Sequence, residues 1–213
     1  MSDSNAVTTV DLLRHGSCEG GEIYRGSTDS TLSEEGWQQM RDALAPAAGW
    51  HSIVSSPLSR CRLFADAFGA DAQLPVSHEE AFREVHFGEW EGRTAADVAA
   101  DDAAGLLAWQ RGAGRPPGGE SIGDVGHRMW EFVTSAAAEH VEACADEARP
   151  RTVAVATHAV AIKSAVGAVM RMDLEQWGQM WPAPASLTVL QFAVTPDGQI
   201  GERHLLGFAV PTH

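Results

Sequence analysis

An arginine and a histidine stand side by side at the end of the apolar run "VDLLRHG", as Arg14 and His15. Arginine presents a planar fork of N–H groups that matches the oxygens of a phosphate. Neutral imidazole is a competent nucleophile near neutral pH, and neighbouring arginines favour the neutral form. The pair therefore predicts chemistry on a phosphorylated ligand and not an ordinary solvated loop.

Two other segments place charged or titratable side chains directly after a predicted strand. Arg60 follows "HSIVSSPLS" in the first turn of a predicted helix, and His158 follows the β-branched run "RTVAVAT". Ligands of open α/β sheets bind at the carboxyl ends of the strands, where helix N-termini add a partial positive charge. We therefore expect these two side chains to join Arg14 and His15 at one edge of the sheet. Glu84, in "FREVHFGEWEG", adds a carboxylic acid that could protonate a departing alkoxide.

Each of these residues also has an ordinary structural interpretation. The tripeptide "RHG" can lie on any exposed turn, His158 could be a hydrogen-bonded structural histidine, and Glu84 could belong to a solvated acidic loop. Arg60 at a helix start opposes the helix dipole, and this local cost favours a functional role. The joint placement of the residues at one sheet edge favours chemistry over structure.

The chain alternates predicted strands and helices. Ser33 is the predicted N-cap of a helix in "TLSEEGWQQMRDAL", while Ser56 and Gly69 are the predicted cap and end of a second helix. Between about 81 and 119 the pattern has no clean period, and "GRPPGGES" predicts a loop. A helix from 121 to about 148, a strand in "RTVAVATH", a small-residue helix in "AVAIKSAVGAVM" and two C-terminal strands follow.

This alternation predicts an α/β fold: a three-layer α/β/α sandwich with a mainly parallel central sheet and an antiparallel edge strand. The 213 residues, 44% of them hydrophobic, suffice for one large domain with a real core. No repeat or linker divides the sequence. We expect a single domain over 1–213, with a lid-like insertion at about 84–120 over one end of the sheet.

The charge balance disfavours whole classes of partner. Fifteen Lys plus Arg against 29 Asp plus Glu give a net charge of −14, which predicts no binding of nucleic acid or anionic membrane. The N-terminus predicts no signal peptide, and no stretch has the roughly 18 unbroken apolar residues of a membrane span. Cys18, Cys61 and Cys144 lack metal-type spacing and predict reduced thiols in a cytoplasmic protein. No metal-ligand spacing such as H-E-x-x-H occurs, so we expect no metal and no cofactor.

The motifs "LLRHG", "LSEEG", "SSPLSR", "REVHFGEWEG", "PPGGES" and "VATHA" follow one another in the order found in the histidine phosphatase superfamily, which includes cofactor-dependent phosphoglycerate mutase. The resemblance covers most of the chain, from Val7 to about Pro184, and implies a phosphoglycerate mutase-like fold. It also implies roles for single residues: a nucleophile, two phosphoryl clamps, a proton donor and a histidine flanking the phosphoryl group. In that order these are His15, Arg14 and Arg60, Glu84, and His158.

Two positions depart from the commonest pattern of the superfamily. Many members have Glu-Thr or a similar pair after "RHG", where this chain has Ser17-Cys18, and many have "HGG" where this chain has "HAV". The stretches "YRGSTDSTLSEEGWQQM", "HFGEWEGR" and "PPGGES" look most like α-ribazole phosphatase of cobalamin biosynthesis, which removes the 5′-phosphate of α-ribazole 5′-phosphate. In this interpretation Arg25 and Gly26 line the substrate entrance.

The resemblance implies a phosphomonoesterase that acts on a small phosphorylated metabolite in two in-line steps. His15 attacks the phosphorus, Glu84 protonates the leaving oxygen, and water then attacks the phosphohistidine. The arginines neutralise the charge that Mg²⁺ neutralises elsewhere, so the protein supplies mainly positioning and charge stabilisation.

Several alternatives stay open at this stage. A phosphoglycerate mutase uses the same residues but generally carries longer insertions, a broad sugar-phosphate phosphatase shares the whole site, and an inactive module would only bind phosphorylated ligands. Trp90 and Trp109 could stack on an aromatic base or be buried under the lid, and Trp177 and Trp181 carry the same two alternatives. The oligomeric state is also open, with a homodimer among the possibilities.

Overall fold

The structure is a computed structural model of the chain and describes residues 6–44, 49–143, 151–195 and 199–210. Within these ranges, strands and helices alternate along most of the chain. The strands are β1 (Ala6–Arg14), β2 (Ser52–Ser55), β3 (Val76–His78), β4 (Arg151–Thr157), β5 (Leu187–Val194) and β6 (Ile200–Val210). The α-helices are α1 (Glu34–Leu44), α2 (Ser59–Ala72), α3 (Ala95–Gln110), α4 (Ile122–Ala143), α5 (Ala159–Met170) and α6 (Leu174–Gln179). Two short 3₁₀ turns span Glu80–Phe82 and Gly88–Trp90.

The strands form one sheet in the order β3-β2-β4-β1-β5-β6. The pairs β3–β2, β2–β4 and β4–β1 are parallel, whereas β5 runs antiparallel to β1 and β6 antiparallel to β5. The predicted mainly parallel sheet with an antiparallel edge is therefore confirmed. The register pairs Arg14 with Thr157 and Ser55 with Ala156, so the carboxyl ends of β1, β2 and β4 meet at one sheet edge.

Helices cover both faces of the sheet. Successive side chains of β1 point to opposite faces, so apolar neighbours on this strand need a helical layer on each side. Leu12 packs into a core with residues of α3, α4, α5 and α6. The next residue, Leu13, packs into a separate core with residues of α1 and α2. Two apolar residues in succession thus bury the strand on both faces, which is typical of a parallel sheet between two helical layers. The predicted three-layer α/β/α sandwich is confirmed.

The predicted cap of the first helix is confirmed, but that of the second is wrong. The N–H of Gly36 donates to the Ser33 hydroxyl over 3.1 Å at the start of α1. By contrast, α2 begins at Ser59, and the carboxylate of Asp29 accepts from both the backbone N–H and the hydroxyl of Ser59 at 2.7 Å. Gly69 does not end α2 but lies inside it. The carboxylate that satisfies this helix start comes from a distant loop, which local sequence could not reveal.

Helix α3 occupies the stretch in which the sequence has no clean period. A capping box between Thr94 and Asp97 starts the helix, and the backbone of Asp102 is non-helical, so two short helical pieces meet at a kink. Because a kink shifts the phase of the apolar positions, no single 3.6-residue period fits the segment. Helix α4 was predicted to run to about 148; it is described to Ala143, and 144–150 lie outside the described residues. No helix in the described ranges has the length and apolarity to cross a bilayer.

Candidate active site

The strand ends bring the predicted site residues together. The backbone N–H of His15 donates to the carbonyl of Thr157 over 2.9 Å, which ties the end of β1 to the end of β4. The rings of His15 and His158 then meet edge to face, with centroids 5.2 Å apart. Arg60 comes from the first turn of α2 and is 1% exposed. Arg14, His15, Arg60 and His158 therefore lie together at the carboxyl edge of the sheet, where they form the candidate pocket.

Two glycines of the sequence motifs allow the loop after β1 to pack closely on α1. A Cβ atom at Gly16 would lie 2.4 Å from the carbonyl oxygen of Gly36. A Cβ atom at Gly36 would lie 1.9 Å from the carbonyl oxygen of Ser17. Neither approach is possible for a residue with a side chain, so the "RHG" and "LSEEG" glycines together set the path of the chain that follows His15.

One nitrogen of the His15 imidazole is anchored by a hydrogen bond, and the other has no hydrogen-bond partner among the described residues. Its Nδ1 lies 2.8 Å from the Gly16 carbonyl, which can only accept, so Nδ1 carries the proton and Nε2 keeps its lone pair. Burial first and the charge of Arg60 second lower the pKa of His15 to about 3, and the hydrogen bond to Gly16 offsets only part of this shift. The side chain is therefore neutral at pH 7, as a histidine nucleophile must be.

The second histidine is fixed by a buried network that the sequence did not predict. The Arg60 Nε–H donates to His158 Nδ1 over 3.2 Å. Since Arg60 can only donate, His158 carries its proton on Nε2, which lies 2.7 Å from the Ser56 hydroxyl. Burial first and the Arg60 charge second hold the pKa of His158 well below its usual value. Ser56, expected to cap a helix, instead positions this ring.

Arg60 is also held from the opposite side by backbone carbonyls. Its terminal nitrogens donate to the carbonyls of Gly26 at 2.7 Å and Thr28 at 3.0 Å. A guanidinium has five N–H groups, so these contacts and the one to His158 leave two for a ligand. The geometry fixes the plane of Arg60 before any phosphate arrives.

The loop that holds Arg60 depends on Glu91, a residue that sequence reasoning missed. The Glu91 carboxylate accepts from the backbone N–H groups of Ser27 (2.9 Å), Thr28 (3.0 Å) and Phe87 (3.2 Å), and from the hydroxyls of Ser27 and Thr28. Partial burial alone would raise the pKa of Glu91, but these hydrogen bonds outweigh it and lower the pKa. The second glutamate of "GEWEG" was the available signal, yet its partners Ser27 and Thr28 lie more than sixty residues away in sequence.

Glu84 lies at the N-terminus of α5, close to the ends of the two strands that precede His15 and His158. Its carboxylate accepts from the backbone N–H groups of Val85 (3.0 Å), Val160 (3.3 Å) and Ala161 (3.3 Å). The side chain is buried, with 7% exposure. It is therefore an oriented carboxyl group in the pocket and not part of a solvated acidic loop.

Arg14 closes the other side of the pocket. One terminal nitrogen donates to the Pro182 carbonyl over 2.6 Å, while its Nε is buried without a hydrogen-bond partner among the described residues. Burial lowers the pKa of Arg14, and the nearby Glu84 charge opposes that shift. An unpaired, desolvated N–H group in such a place is a donor available to an anionic ligand.

The two residues predicted at the substrate entrance have internal partners. Arg25 donates to the carbonyls of Glu19 (2.8 Å) and Gly21. Gly26 is buried with a φ of 54°, and a Cβ atom there would lie 2.3 Å from a Glu91 oxygen. Only glycine fits this conformation and space. Contact of Arg25 or Gly26 with a substrate stays a prediction.

Among the described residues, the cysteines and the potential metal ligands do not form a second reactive or metal-binding site. Cys18 Sγ lies 3.5 Å from His15 Nδ1, and burial raises the pKa of both Cys18 and Cys61. Both are free thiols, and Cys144 lies outside the described residues. In the described ranges no group of three or more His, Cys, Asp or Glu side chains could hold a metal ion.

The tryptophans divide into buried and exposed residues. Trp90 and Trp109 are 2% and 5% exposed and pack against each other edge to face. Of the two alternatives, burial is therefore the correct one for both tryptophans. Trp177 is 7% exposed and fills the space above Gly126 and Gly167. Trp181 is 64% exposed and lies over Arg14, with the guanidinium carbon 5.4 Å from the ring centroid.

An α/β sandwich with two arginines, two histidines and one carboxyl group at the carboxyl edge of its sheet defines a class of site suited to phosphoryl groups. The sequence profile of the histidine phosphatase superfamily (branch 1) matches residues 10–197. The chain belongs to that superfamily.

Individual relatives narrow the activity further. The glucosyl-3-phosphoglycerate phosphatase of Mycolicibacterium vanbaalenii is 33% identical over 177 residues, which are 80% of this chain and 78% of the relative. The structure of a mycobacterial glucosyl-3-phosphoglycerate phosphatase superposes with a TM-score of 0.85 at 30% identity, covering 95% of this chain and 99% of that one. Alpha-ribazole phosphatase from Shigella flexneri superposes with a TM-score of 0.76 at 19% identity, covering 95% and 96%, which shows a shared fold alone. These relatives support hydrolysis of phosphoric monoesters as the activity.

Proposed function

We propose that this chain is a metal-independent phosphomonoesterase that transfers the phosphoryl group of a small phosphate ester to His15 and then to water. The observation that carries the proposal is the state of His15. Its imidazole is neutral at pH 7, its Nδ1–H is anchored on Gly16, and its Nε2 has no hydrogen-bond partner in the part of the chain that the structure describes, while the charges of Arg60 and Arg14 act on the ring. That is the state an attacking histidine requires.

In the first step His15 Nε2 forms a bond to phosphorus while the bond from phosphorus to the ester oxygen breaks. Arg14 and Arg60 bind the non-bridging oxygens, with His158 beside them. Glu84, in its protonated form, transfers its proton to the leaving oxygen, so the products are the free alcohol and phosphohistidine. The arginines supply the charge neutralisation that metal ions supply in other phosphoryl transfers.

In the second step a water molecule attacks phosphorus on the side that the alcohol has left. Glu84, now ionised, accepts a proton from this water. The bond from phosphorus to His15 breaks, inorganic phosphate leaves, and the starting protonation state of Glu84 is restored. Water thus completes a hydrolysis, whereas a mutase would return the phosphoryl group to a second hydroxyl.

The relatives favour phosphorylated glycerate derivatives over α-ribazole 5′-phosphate as substrates. Relatives at 33% identity bear the name glucosyl-3-phosphoglycerate phosphatase, whereas α-ribazole phosphatase is represented at 19% identity. Burial of Trp90 and Trp109 also leaves these two rings unavailable for stacking on an aromatic base. We therefore rank α-ribazole 5′-phosphate, and with it a role in cobalamin biosynthesis, second among the candidate substrates.

The deciding experiment measures phosphate release from glucosyl-3-phosphoglycerate, 3-phosphoglycerate, glycerol 3-phosphate, a sugar phosphate and α-ribazole 5′-phosphate, in buffer with excess EDTA. We expect turnover in EDTA and the highest kcat/KM for a glycerate ester. Loss of turnover in EDTA that Mg²⁺ restores would refute metal independence. Isomerisation of 3-phosphoglycerate without phosphate release would instead identify a mutase, and binding without any turnover would identify an inactive module.

A further inference from the structure

The chain contains a single lysine, Lys163, among its 15 basic residues. It lies on α5 and is only 3% exposed. Burying an ammonium group is costly unless the charge finds partners. In the part of the chain that the structure describes, Lys163 makes no hydrogen bond, and its polar surroundings are the Trp181 ring and the charge of Glu84.

Trp181 links this lysine to the phosphoryl-binding arginine. The Lys163 Nζ lies 5.8 Å from the centroid of the Trp181 ring, and the Arg14 guanidinium carbon lies 5.4 Å from the same centroid. The indole is nevertheless 64% exposed, although a large aromatic ring gains free energy from burial. The backbone beside it is tied to β1 by hydrogen bonds from Arg14 to Pro182 and from Ala185 to Arg14.

Lys163 lies on the leaving-group side of the pocket. The Glu84 carboxylate accepts from the N–H of Val160, and Lys163 follows Val160 by three residues, on the same face of α5. Glu84 is the group that protonates the departing oxygen in the proposed mechanism. The alcohol part of a bound ester must therefore pass close to Lys163 and Trp181.

Burial lowers the pKa of Lys163, and an anionic group on the ligand would stabilise its charged form. In the proposed mechanism Glu84 enters the first step as an acid, so its negative charge is not available to Lys163 in that step. Arg14 and Arg60 are then occupied by the phosphoryl oxygens. Among the described residues Lys163 then has no other carboxylate to offset its charge, so a second anionic group on the substrate would be its partner.

We propose that Lys163 and Trp181 form a subsite for a carboxylate on the alcohol part of the substrate. Lys163 pairs with the carboxylate, and the exposed indole packs on the carbon atoms or sugar ring that extend from it. The substrate class is a phosphate monoester with a carboxylate near the ester oxygen, as in the phosphoglycerates. This inference rests on the proposed phosphatase function and adds a structural basis for its substrate specificity.

The first test compares two esters that differ mainly at the carboxylate. 3-Phosphoglycerate has a carboxylate where glycerol 3-phosphate has a hydroxymethyl group, so the ratio of their kcat/KM values measures its recognition. A charge-assisted hydrogen bond is worth about 1.5–3 kcal/mol, so Lys163→Met should lower this ratio by about 10- to 100-fold. Lys163→Arg should recover most of the ratio, and the exposed Arg41→Met on α1 should leave it unchanged.

The outcomes separate the two proposals. If wild-type protein releases phosphate from both esters but Lys163→Met keeps the ratio, the subsite is refuted and the phosphatase function stands. The same holds if Lys163→Met lowers both kcat/KM values equally, because Lys163 would then act on Glu84 alone. If wild-type protein hydrolyses no ester at all, the proposed function fails.

A binding measurement tests the subsite without turnover and without altering the lysine. Protein with His15→Ala, labelled with ¹³Cε-lysine, gives one lysine cross-peak because the chain has one lysine. 3-Phosphoglycerate should shift this cross-peak, and glycerol 3-phosphate at equal saturation should shift it much less. Equal shifts with the two ligands would overturn the proposal.

Discussion

The two halves of the pocket differ in how far the protein satisfies its own polar groups. In the half formed by Arg60 and His158, both side chains are essentially unexposed and hydrogen-bonded to Ser56, Gly26 and Thr28. In the half formed by Glu84, Lys163 and Trp181, the Lys163 ammonium has no hydrogen-bond partner among the described residues and the Trp181 ring is exposed. We call these the phosphoryl half and the leaving-group half.

The difference indicates which half of the pocket is preorganised before a ligand binds. A saturated network holds its donors in one geometry, so the phosphoryl half loses little entropy when a ligand binds. An unsatisfied donor instead gains a full hydrogen bond from a ligand that fits and stays unpaired with one that does not. The phosphoryl half should thus act equally on all esters, and the leaving-group half should discriminate among them.

Replacing the nucleophile should have the largest effect and should not depend on the ester. We expect His15→Ala to lower kcat by about 10⁴-fold or more, because no other side chain can take over the covalent step. After incubation with ³²P-labelled substrate, wild-type protein should carry label that acid treatment releases. The variant should carry none. Residual activity above about a tenth of wild type would contradict His15 as nucleophile.

Replacing the proton donor should affect esters unequally. Glu84→Gln keeps the size and removes the acid, so kcat/KM for alkyl phosphates should fall by about 10²- to 10⁴-fold. p-Nitrophenyl phosphate, whose phenolate leaves without a proton, should lose less than about tenfold. Equal losses with both kinds of ester would place Glu84 outside the leaving-group half.

Glu91 tests whether the phosphoryl half depends on its supporting loop. Glu91→Ala leaves up to five donors of Ser27, Thr28 and Phe87 without their acceptor and frees the carbonyls that hold Arg60. Because misplacement by about 1 Å can cost 10²-fold, we expect kcat/KM to fall about 10²-fold for every ester. Chemical unfolding should show a loss of about 3 kcal/mol from the unpaired groups. A destabilised variant with wild-type kinetics would mean that Arg60 is positioned without the loop.

The buried state of His15 should make folding stability depend on pH. Its pKa is about 3 in the folded protein and about 6.5 when unfolded, so the unfolded chain binds more protons between these values. Stability is therefore complete above pH 6.5 and is lost as the pH falls toward 3. Between pH 7 and pH 5 wild-type protein should lose about 2 kcal/mol more than His15→Asn, measured by urea unfolding. His158 is present in both proteins, so its contribution cancels; identical pH dependence would show that His15 is not desolvated.

Ser56 should produce the smallest effect, again equal for all esters. Ser56→Ala removes the acceptor of the His158 Nε2–H, which costs about 1–3 kcal/mol for a buried donor. We expect kcat/KM to fall about tenfold on both 3-phosphoglycerate and glycerol 3-phosphate. Ser59→Ala, at the neighbouring serine outside this network, is the matched control. A change in the ratio of the two substrates would mean that the halves are not independent.

Much of the fold followed from the sequence because its signals are local. The β-branched run ending at Thr157, the serine cap at Ser33 and the alternation of strand and helix each depend on neighbouring residues. Predictions failed where the partner was distant. Asp29 caps α2 from a loop thirty residues earlier, and a kink at Asp102 hid the period of α3.

The sequence by itself determined the chemical inventory of the site: an Arg-His pair after one strand, a histidine after another, an arginine at a helix start and a glutamate in the segment "FREVHFGEWEG". Only the tertiary structure decided how each group is used. It turned Ser56 to His158, joined Glu91 to the loop that holds Arg60, and placed the one lysine beside Trp181. The physical reason is that backbone elements form from local preferences, whereas a buried polar group takes whichever partner the packed chain brings to it.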